Sequence, residues 1–428
     1  MHIYFCGIGG VGIGPLAMLA LDAGYKVSGS NKDQSEIAKQ LELRGVAVDY
    51  LQDGQNITKV NEPLLPIDWF VYSSAVSEDN PEYIYAKNNG IKMSKRDEFL
   101  KVILAEKDLQ LIAVAGTHGK TTTTAMLVWI FNQLDKRISY SIGTSISFGP
   151  SAQYQVGSRY FIYECDEFDR NFLSFQPQVS IITSVDYDHP DTYPTILDYK
   201  NAFRQFLSQS SEVYIWDNAA SYLELGPNNK HKVSTSSTNI STLNLAGLHN
   251  RRNAWLASLV ASKLLPDVDI AIIHDILNKF PGTSRRFEQL SENIYSDYAH
   301  HPIEIAATIQ LAKEINQNIV VVYQPHQNIR QHEILKEGAY THCFEGTSAV
   351  YWLPTYLSRE DANLEVLSPT ELMVSTSPET KTEYKEMNES LWQTILSHQK
   401  RGDLVLCMSA GDLDTWLREK IKLQLASQ

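Results

Sequence analysis

The chain has 428 residues, 43% hydrophobic and 20% charged, which is ordinary globular usage and excludes general disorder. At roughly 150 residues per domain the length suits about three domains. With 37 Lys+Arg against 50 Asp+Glu the formal charge is −13, which disfavours a general nucleic-acid or anionic-membrane binder.

The opening reads strand, glycine turn, helix. His2–Cys6 is a short apolar strand, Pro15–Ala23 a helix stopped by Gly24, and Tyr25–Ser28 the next strand. No Lys or Arg precedes Lys26, and Gly7, Gly9, Gly10, Gly12 and Gly14 interrupt the apolar stretch, so it makes a poor signal peptide. No run of about 18 apolar residues occurs elsewhere, so no transmembrane helix is expected and a cytoplasmic protein is. Asp68–Ser73 is a further strand, and this βα alternation predicts a mostly parallel sheet with helices on both faces.

A second unit begins at the buried-type strand Leu109–Gly116, with a helix from Thr121 to Leu134 and strands Tyr160–Glu164 and Val179–Ser184. Ser234–Thr242 reads as a loop or an edge strand, and a helix with a broad apolar face starts near His249. A third unit follows Phe280–Phe287. It has strands at Asn293–Asp297, Asn318–Gln324, Ser348–Pro354 and Asp403–Ser409, a helix opened by Pro302 that reaches Glu314, and a last helix Asp412–Lys422. Pro369–Thr382 reads as exposed loop, and no repeat is visible. The four cysteines, Cys6, Cys165, Cys343 and Cys407, lie far apart, which fits a reducing compartment better than a disulfide or zinc framework.

Gly7-Ile8-Gly9-Gly10-Val11-Gly12 has GxGxxG spacing between a strand and a helix, where bare backbone can approach a diphosphate. A dinucleotide enzyme places an acid about 20 residues on to hold a ribose hydroxyl. Here Ser28, Ser30 and Asn31 stand in that region and Asp33 comes late, so a nucleotide diphosphate other than NAD is expected.

Ala115-Gly116-Thr117-His118-Gly119-Lys120-Thr121-Thr122 is a strand, Gly-rich turn, Lys-Thr and helix, the P-loop arrangement. Backbone N–H groups would wrap phosphate, Lys120 would neutralise β/γ charge and the Thr121 hydroxyl would reach Mg²⁺. Val114 stands where the common GxxxxGK[ST] pattern has its first glycine, so Gly116 is expected to supply the turn.

Glu164 leaves its strand directly and suits a Mg²⁺ ligand, whereas Asp166 and Glu167 suit a solvated loop equally well. His189 stands at a third strand end and could ligate a second Mg²⁺, hold a phosphate or be structural. Asn250 and Asn253 lie on the helix starting at His249 and suit adenine recognition or capping. Arg285-Arg286 lies between the second and third units, where an arginine can reach a γ-phosphate or form a surface ion pair. Asp297-Tyr298-Ala299-His300-His301-Pro302 and Gln324-Pro325-His326-Gln327-Asn328-Ile329-Arg330 end two strands expected to be adjacent, a wall suited to carboxylates and amines.

The ordered set GIGGVGIG, VSGSN, GTHGKTTTTAM, ECDEFD, DYDHPDTY, GLHNRRNA, SRRFE, DYAHHPIEI, QPHQNIRQH and MSAGD resembles the Mur ligase family, from Ile3 to about Asp412. The resemblance implies a three-domain α/β fold. Residues 1–108 would form a Rossmann-like UDP-sugar domain, 109–286 a P-loop ATPase domain, and 287–428 a Rossmann-like domain that closes over the amino acid. It implies ATP-dependent ligation of L-alanine to the lactyl carboxylate of UDP-N-acetylmuramate through an acyl phosphate, in peptidoglycan synthesis. ATP and Mg²⁺, as two ions, are the implied cofactors.

By the same resemblance Gly116, Thr117, His118, Gly119, Lys120, Thr121 and Thr122 line the ATP phosphates, and Thr121, Glu164 and His189 hold the metal. His249, Asn250 and Asn253 lie by adenine, Arg286 by the γ-phosphate and Asp297 by the ribose. Gly9, Gly10, Val11, Gly12, Ser30, Asn31 and Ser74 face the UDP-sugar, and Tyr298, His300, His326 and Arg330 face the amino acid, with His300 the expected base for the amine.

The chain departs from the family pattern at Gln327, where QPHR is usual, at Ser296, where a second acid is usual, and at Asn31, where SGSD is usual. Gln327 leaves Arg330 to carry the amino acid's carboxylate and keeps glycine or L-serine open as substrates; the family's ligase for a recycled tripeptide is a second alternative, which QPHQNIRQH resembles less. A nucleotide-binding protein without turnover is the different-class alternative, disfavoured by Lys120, Thr121, Glu164 and His189. An NAD oxidoreductase is disfavoured by Asn31 and by the extra ATPase unit. A monomer or weak homodimer, with neither nucleic acid nor membrane as partner, is expected.

Overall fold

The computed structural model describes residues 1–428 apart from Ser74, Pro190, Asp191, Arg359, Asp361, Ala362, Ser427 and Gln428. The fold is mixed α/β with three largely parallel sheets. The first consists of β1 (His2–Cys6), β2 (Lys26–Ser30), β3 (Ala47–Asp49), β4 (Trp69–Tyr72) and β5 (Lys92–Lys95), in the order β3-β2-β1-β4-β5, all parallel.

The second contains β6 (Gln110–Ala115), β7 (Ser139–Ser141), β8 (Ala152–Gln153), β9 (Tyr160–Glu164), β10 (Val179–Ile182), β11 (Glu212–Trp216) and β12 (His231–Ser234). Its order is β12-β11-β10-β6-β9-β7-β8, with only β8 antiparallel. The third contains β13 (Glu288–Ser291), β14 (Ile294–Asp297), β15 (Ile319–Tyr323), β16 (Ala349–Trp352), β17 (Thr382–Tyr384) and β18 (Leu404–Met408), in the order β13-β14-β18-β15-β16-β17, with β13 antiparallel.

These sheets belong to two compact units. Met1–Leu243 with Asn253–Phe280 carries the first two sheets, and Asn244–Arg252 with Pro281–Gln428 carries the third.

The near-continuous apolar strands are explained by burial on both faces, as parallel sheets require. Along β1, Ile3 and Phe5 enter one core while Tyr4 and Cys6 enter another. Along β15, Ile319, Val321 and Tyr323 face one core and Val320 and Val322 the opposite one. Helices Gly14–Asp22, Lys120–Gln133, Pro302–Lys313 and Leu413–Ala426 match the expected ones to within a few residues. Among the described residues no helix is long and apolar enough to cross a membrane.

Two sequence expectations change and a third is narrowed. Pro369–Thr382 is not all loop: Ser368 caps the helix Pro369–Met373 in a capping box, and Thr382 opens β17. Ser234 ends the edge strand β12, and the polar residues after it are turns and coil. Strands β14 and β15 are not neighbours, because the apolar β18 pairs with both and lies between them.

Trp352 is the hub of an aromatic cluster in the second unit, with ring centroids 5.0 Å from Tyr323, 5.1 Å from Tyr340 and 5.4 Å from Phe344. Trp352→Ala should destabilise that unit by about 3–5 kcal/mol, because the surrounding rings cannot collapse into the hole. Urea denaturation followed by fluorescence checks this, and a midpoint equal to that of the parent protein would contradict it.

Candidate active site

The glycine turns follow β1 and β6 at the carboxyl ends of their sheets, where open α/β sheets bind ligands. After β1, the N–H groups of Gly7 and Ile8 both donate to Ser30 O, at 2.8 and 2.9 Å, and Gly10 N donates to Gly7 O. Gly9 N donates to Asn31 Oδ1 at 3.2 Å, and a side chain on Gly9 would strike that amide. Asn31 therefore organises the turn. Val11 is exposed at its tip.

Ser30 differs from its expected role. Its hydroxyl turns into the core, donating to Glu82 Oε2 at 2.5 Å and accepting from Gln52 Nε2 at 3.1 Å. Ser74 lies outside the described residues. Arg96, which sequence reading missed, places its guanidinium against Gly12 and 3.9 Å from Asp166. Nothing in local spacing links Arg96 to a turn so distant in the chain.

After β6, Gly116 has φ +131° and Gly119 φ +86°, backbone that only glycine adopts easily. Gly119 caps the helix Lys120–Gln133, and a side chain there would meet the amide of Asn253. Thr117 braces the loop: its hydroxyl donates to Asp186 O at 2.8 Å, and Asp186 N donates back at 2.9 Å. His118 N donates to Ser184 Oγ, and its ring lies 3.8 Å from Asp186. Thr122 is half-buried on the first helical turn.

Strands β9 and β10 flank β6, so the loops after them meet the P-loop. Thr121 Oγ1 donates to Glu164 Oε1 at 2.7 Å, and Gly143 N donates to the other oxygen of Glu164. A hydroxyl beside a carboxylate is an oxygen pair that suits Mg²⁺. His189, in left-handed backbone at φ 58°, has Nε2 3.9 Å from Glu167 and 3.8 Å from Asp188. Asp166, Glu167 and His189 offer one ligand atom each within 4.8 Å of one another.

Glu167 corrects the solvated-loop reading. Its side chain is 0% exposed and pairs with Lys120 Nζ at 2.8 Å. Burial opposes charge on Lys120, but the carboxylates of Glu167, Asp166 and Glu164 outweigh it and raise the lysine's pKa. Lys120 is therefore an ammonium at any ordinary pH. The signal for Glu167 was present, an acid a few residues beyond a strand that neighbours a P-loop, but spacing alone cannot say which acid turns inward.

In the second unit, His249 is buried and its Nδ1 has no hydrogen-bond partner among the described residues. Burial, then the charge of Arg286, lowers its pKa to about 4, so the ring is neutral. A neutral ring with an unused buried nitrogen fits a nucleobase edge. Asn250 Nδ2 donates to Ala246 O at 3.0 Å. Arg286 lies over the Tyr298 ring and 4.0 Å from Glu304. Asp297 accepts from Phe287 N and Ala299 N, each at 2.7 Å, and burial raises its pKa to about 6. Its carboxylate thus braces the start of the loop expected to meet ribose.

Although β18 separates β14 from β15, their loops meet. Arg330 Nη1 donates to His300 Nε2 at 2.5 Å, and His300 Nδ1 donates to Tyr298 O at 3.1 Å. Burial, opposed by Glu304 and reinforced by Arg330, lowers the His300 pKa to about 3. This differs from the base role expected of His300: its lone pair is spent on Arg330, and its geometry orients that guanidinium. His326 stacks on Tyr356 and lies edge-on to His300. Gln327 opens the helix Asn328–Glu337 in left-handed backbone at φ 61°.

Three family models match in chain order: "Mur ligase family, catalytic domain" over residues 2–108, "Mur ligase middle domain" over 114–252, and "Mur ligase, glutamate ligase domain" over 285–411. The UDP-N-acetylmuramate–L-alanine ligase of Clostridium perfringens is 31% identical across 96% of this chain and 95% of its own length. That of Clostridium acetobutylicum is 32% identical across 96% and 95%. Among solved structures, the UDP-N-acetylmuramate-alanine ligase of Thermotoga maritima superposes with TM-score 0.77 at 24% identity over all of both chains. A murein peptide ligase from Psychrobacter arcticus gives TM-score 0.65 at 21% identity over 99% of this chain and 98% of its own. These two structures share the fold.

Proposed function

The chain belongs to the Mur ligase family, and from that membership we propose that it joins L-alanine to the lactyl carboxylate of UDP-N-acetylmuramate as ATP becomes ADP and phosphate. The step would belong to cytoplasmic peptidoglycan precursor synthesis. The observation that carries the reading is the end-to-end likeness to the two clostridial L-alanine ligases, in a chain that keeps Lys120, Thr121, Glu164 and His189.

The task divides among the three domains read from the sequence, 1–108, 109–286 and 287–428. Gly9, Gly10, Gly12 and Asn31 take the UDP diphosphate, with Arg96 as an added cation beside the turn. Lys120 and the turn Gly116–Gly119 take the ATP phosphates. Thr121, Glu164 and His189 would hold Mg²⁺, which when bound spreads the charge of the triphosphate. His249, Asn250 and Asn253 take the adenine side, Asp297 the ribose side and Arg286 the γ-phosphate. Arg330, held by His300, takes the amino acid's carboxylate beside Tyr298 and His326.

A lactyl carboxylate oxygen attacks the γ-phosphorus and the bond to ADP breaks, leaving an acyl phosphate. The neutral amine attacks the acyl carbon and loses a proton, and phosphate leaves as the amide forms. Because anions must meet, Lys120 and Arg286 matter most where charge moves in phosphoryl transfer.

Phosphate release measured with UDP-N-acetylmuramate, ATP and Mg²⁺ tests the reading against L-alanine, glycine, L-serine and the recycled tripeptide. L-alanine should stimulate it most. A larger rate with glycine or L-serine would trace to the uncharged Gln327 and redirect the substrate assignment. No turnover with any amine would overturn the ligase reading.

A further inference from the structure

Lys120 has no donor to spare. Its Nζ donates to Gly116 O at 2.6 Å, to Thr117 O at 3.2 Å, and to Glu167 at 2.8 Å through Oε2 and 3.1 Å through Oε1. An ammonium carries three N–H groups, and these four contacts consume them. A phosphate oxygen can gain this lysine only by displacing a present partner. Two of those partners are carbonyls of the P-loop itself; the third is the buried carboxylate of Glu167.

Glu167 cannot follow the lysine outward. Its side chain is fully buried, and its backbone is pinned: Tyr193 Oη donates to Glu167 O at 2.5 Å and Arg170 N donates to the same oxygen at 3.0 Å. The pair is therefore an internal competitor of fixed position for the cation that the loop needs.

We propose that Glu167 is a positioning residue that holds Lys120 folded over the P-loop in the nucleotide-free protein and must release it to the triphosphate, so that this ion pair sets the loop's affinity for ATP. The proposal rests on the reading of the loop as the ATP site and deepens it. Part of the gain from placing triphosphate beside Lys120 is offset by parting a buried ion pair, whose separation leaves a charge uncompensated. Binding competence belongs to the state in which the lysine is free to turn, and apparent affinity falls with the population of that state.

Glu167→Gln keeps the side chain's shape and one carbonyl acceptor but removes the competing charge. In the full-length protein it should bind Mg-ATP roughly tenfold more tightly than the parent, with affinity for UDP-N-acetylmuramate unchanged. Without nucleotide its thermal midpoint should fall, and the rise produced by saturating Mg-ATP should exceed that of the parent. A purely structural role would weaken both ligands or neither. Unchanged or weaker Mg-ATP binding by Glu167→Gln, in calorimetry, overturns the proposal; weaker binding would place Glu167 among the ligand's own supports.

Should Glu167→Gln fail to fold, Glu167→Asp retains the charge but withdraws it by about one bond length, ~1.5 Å. It should tighten Mg-ATP to a lesser degree, and the same null or opposite result overturns the idea. Lys120→Met separates the two layers. If it binds Mg-ATP like the parent, the ATP assignment of the loop fails. If it loses Mg-ATP while the Glu167 variants bind like the parent, that assignment stands and the competition does not.

Discussion

Lys120→Ala is expected to cut L-alanine-dependent phosphate release by at least about a thousandfold, the scale on which removal of a key preorganised charge is felt in group transfer. UDP-N-acetylmuramate binding should persist, because its glycine turn follows β1 on the first sheet, whereas Lys120 follows β6 on the second. The variant should also melt at a lower temperature, for a reason separate from catalysis. Glu167 is fully buried against Lys120, and burial already raises its pKa to about 7, so deleting the lysine removes the charge that favours its ionised form, a loss of at most about 3–5 kcal/mol.

The double variant Lys120→Met with Glu167→Gln should recover much of the stability and none of the turnover. Phosphate release and thermal unfolding, measured on parent, single and double variants, check both halves. Turnover near the parent rate in Lys120→Ala would remove the lysine from the reaction, and a double variant no more stable than the single would remove the ion pair from the stability argument.

Gly116→Ala is expected to be far more damaging than a glycine replacement of similar backbone strain elsewhere. At φ +131° an L side chain is strained, and a Cβ there would lie 2.7 Å from Ser184 O and 2.9 Å from Ser184 N, and closer still to Thr183 Oγ1. Two of those atoms are backbone beside β10, so the P-loop must move rather than the obstacle. Gly24 is the control: its φ is +87°, and a Cβ there meets nothing within 4 Å. Gly24→Ala should cost roughly 1 kcal/mol from backbone conformation alone. Gly116→Ala should cost about 2–3 kcal/mol more from the forced collision and should also weaken Mg-ATP binding, because the displaced turn carries the N–H groups that face phosphate. Equal melting temperatures and equal Mg-ATP affinities in the two variants would show that the close approach to Ser184 is unimportant.

Much of the frame is legible in the amino-acid sequence itself. Strands such as β1, β6 and β15 are short, almost wholly apolar and followed by glycine or polar turns, and burial on both faces of a parallel sheet demands that pattern. Helix starts were legible because local chemistry sets them: Pro302 needs no hydrogen-bonding N–H in a first turn, and Gly119 tolerates left-handed backbone ahead of Lys120. The weaker strands β3, β5 and β17 were not legible, since each is short and largely exposed, and neither was the buried β7, only three residues long and two of them serine; a neighbour supplies the register of each.

The amino acids themselves determined the α/β class, the two glycine turns and the set of charged residues at strand ends, because backbone conformation and apolar periodicity act over a few adjacent positions. Tertiary structure alone decided which of those charges point where. It turned Glu167 inward onto Lys120, spent Ser30 on Glu82, set Arg96 beside Gly12, and brought Arg330 to His300 across an intervening strand. The physical reason is range: each of these pairings joins chain segments far apart in sequence, and whether a carboxylate or imidazole is solvated, paired or committed depends on what folding stacks against it.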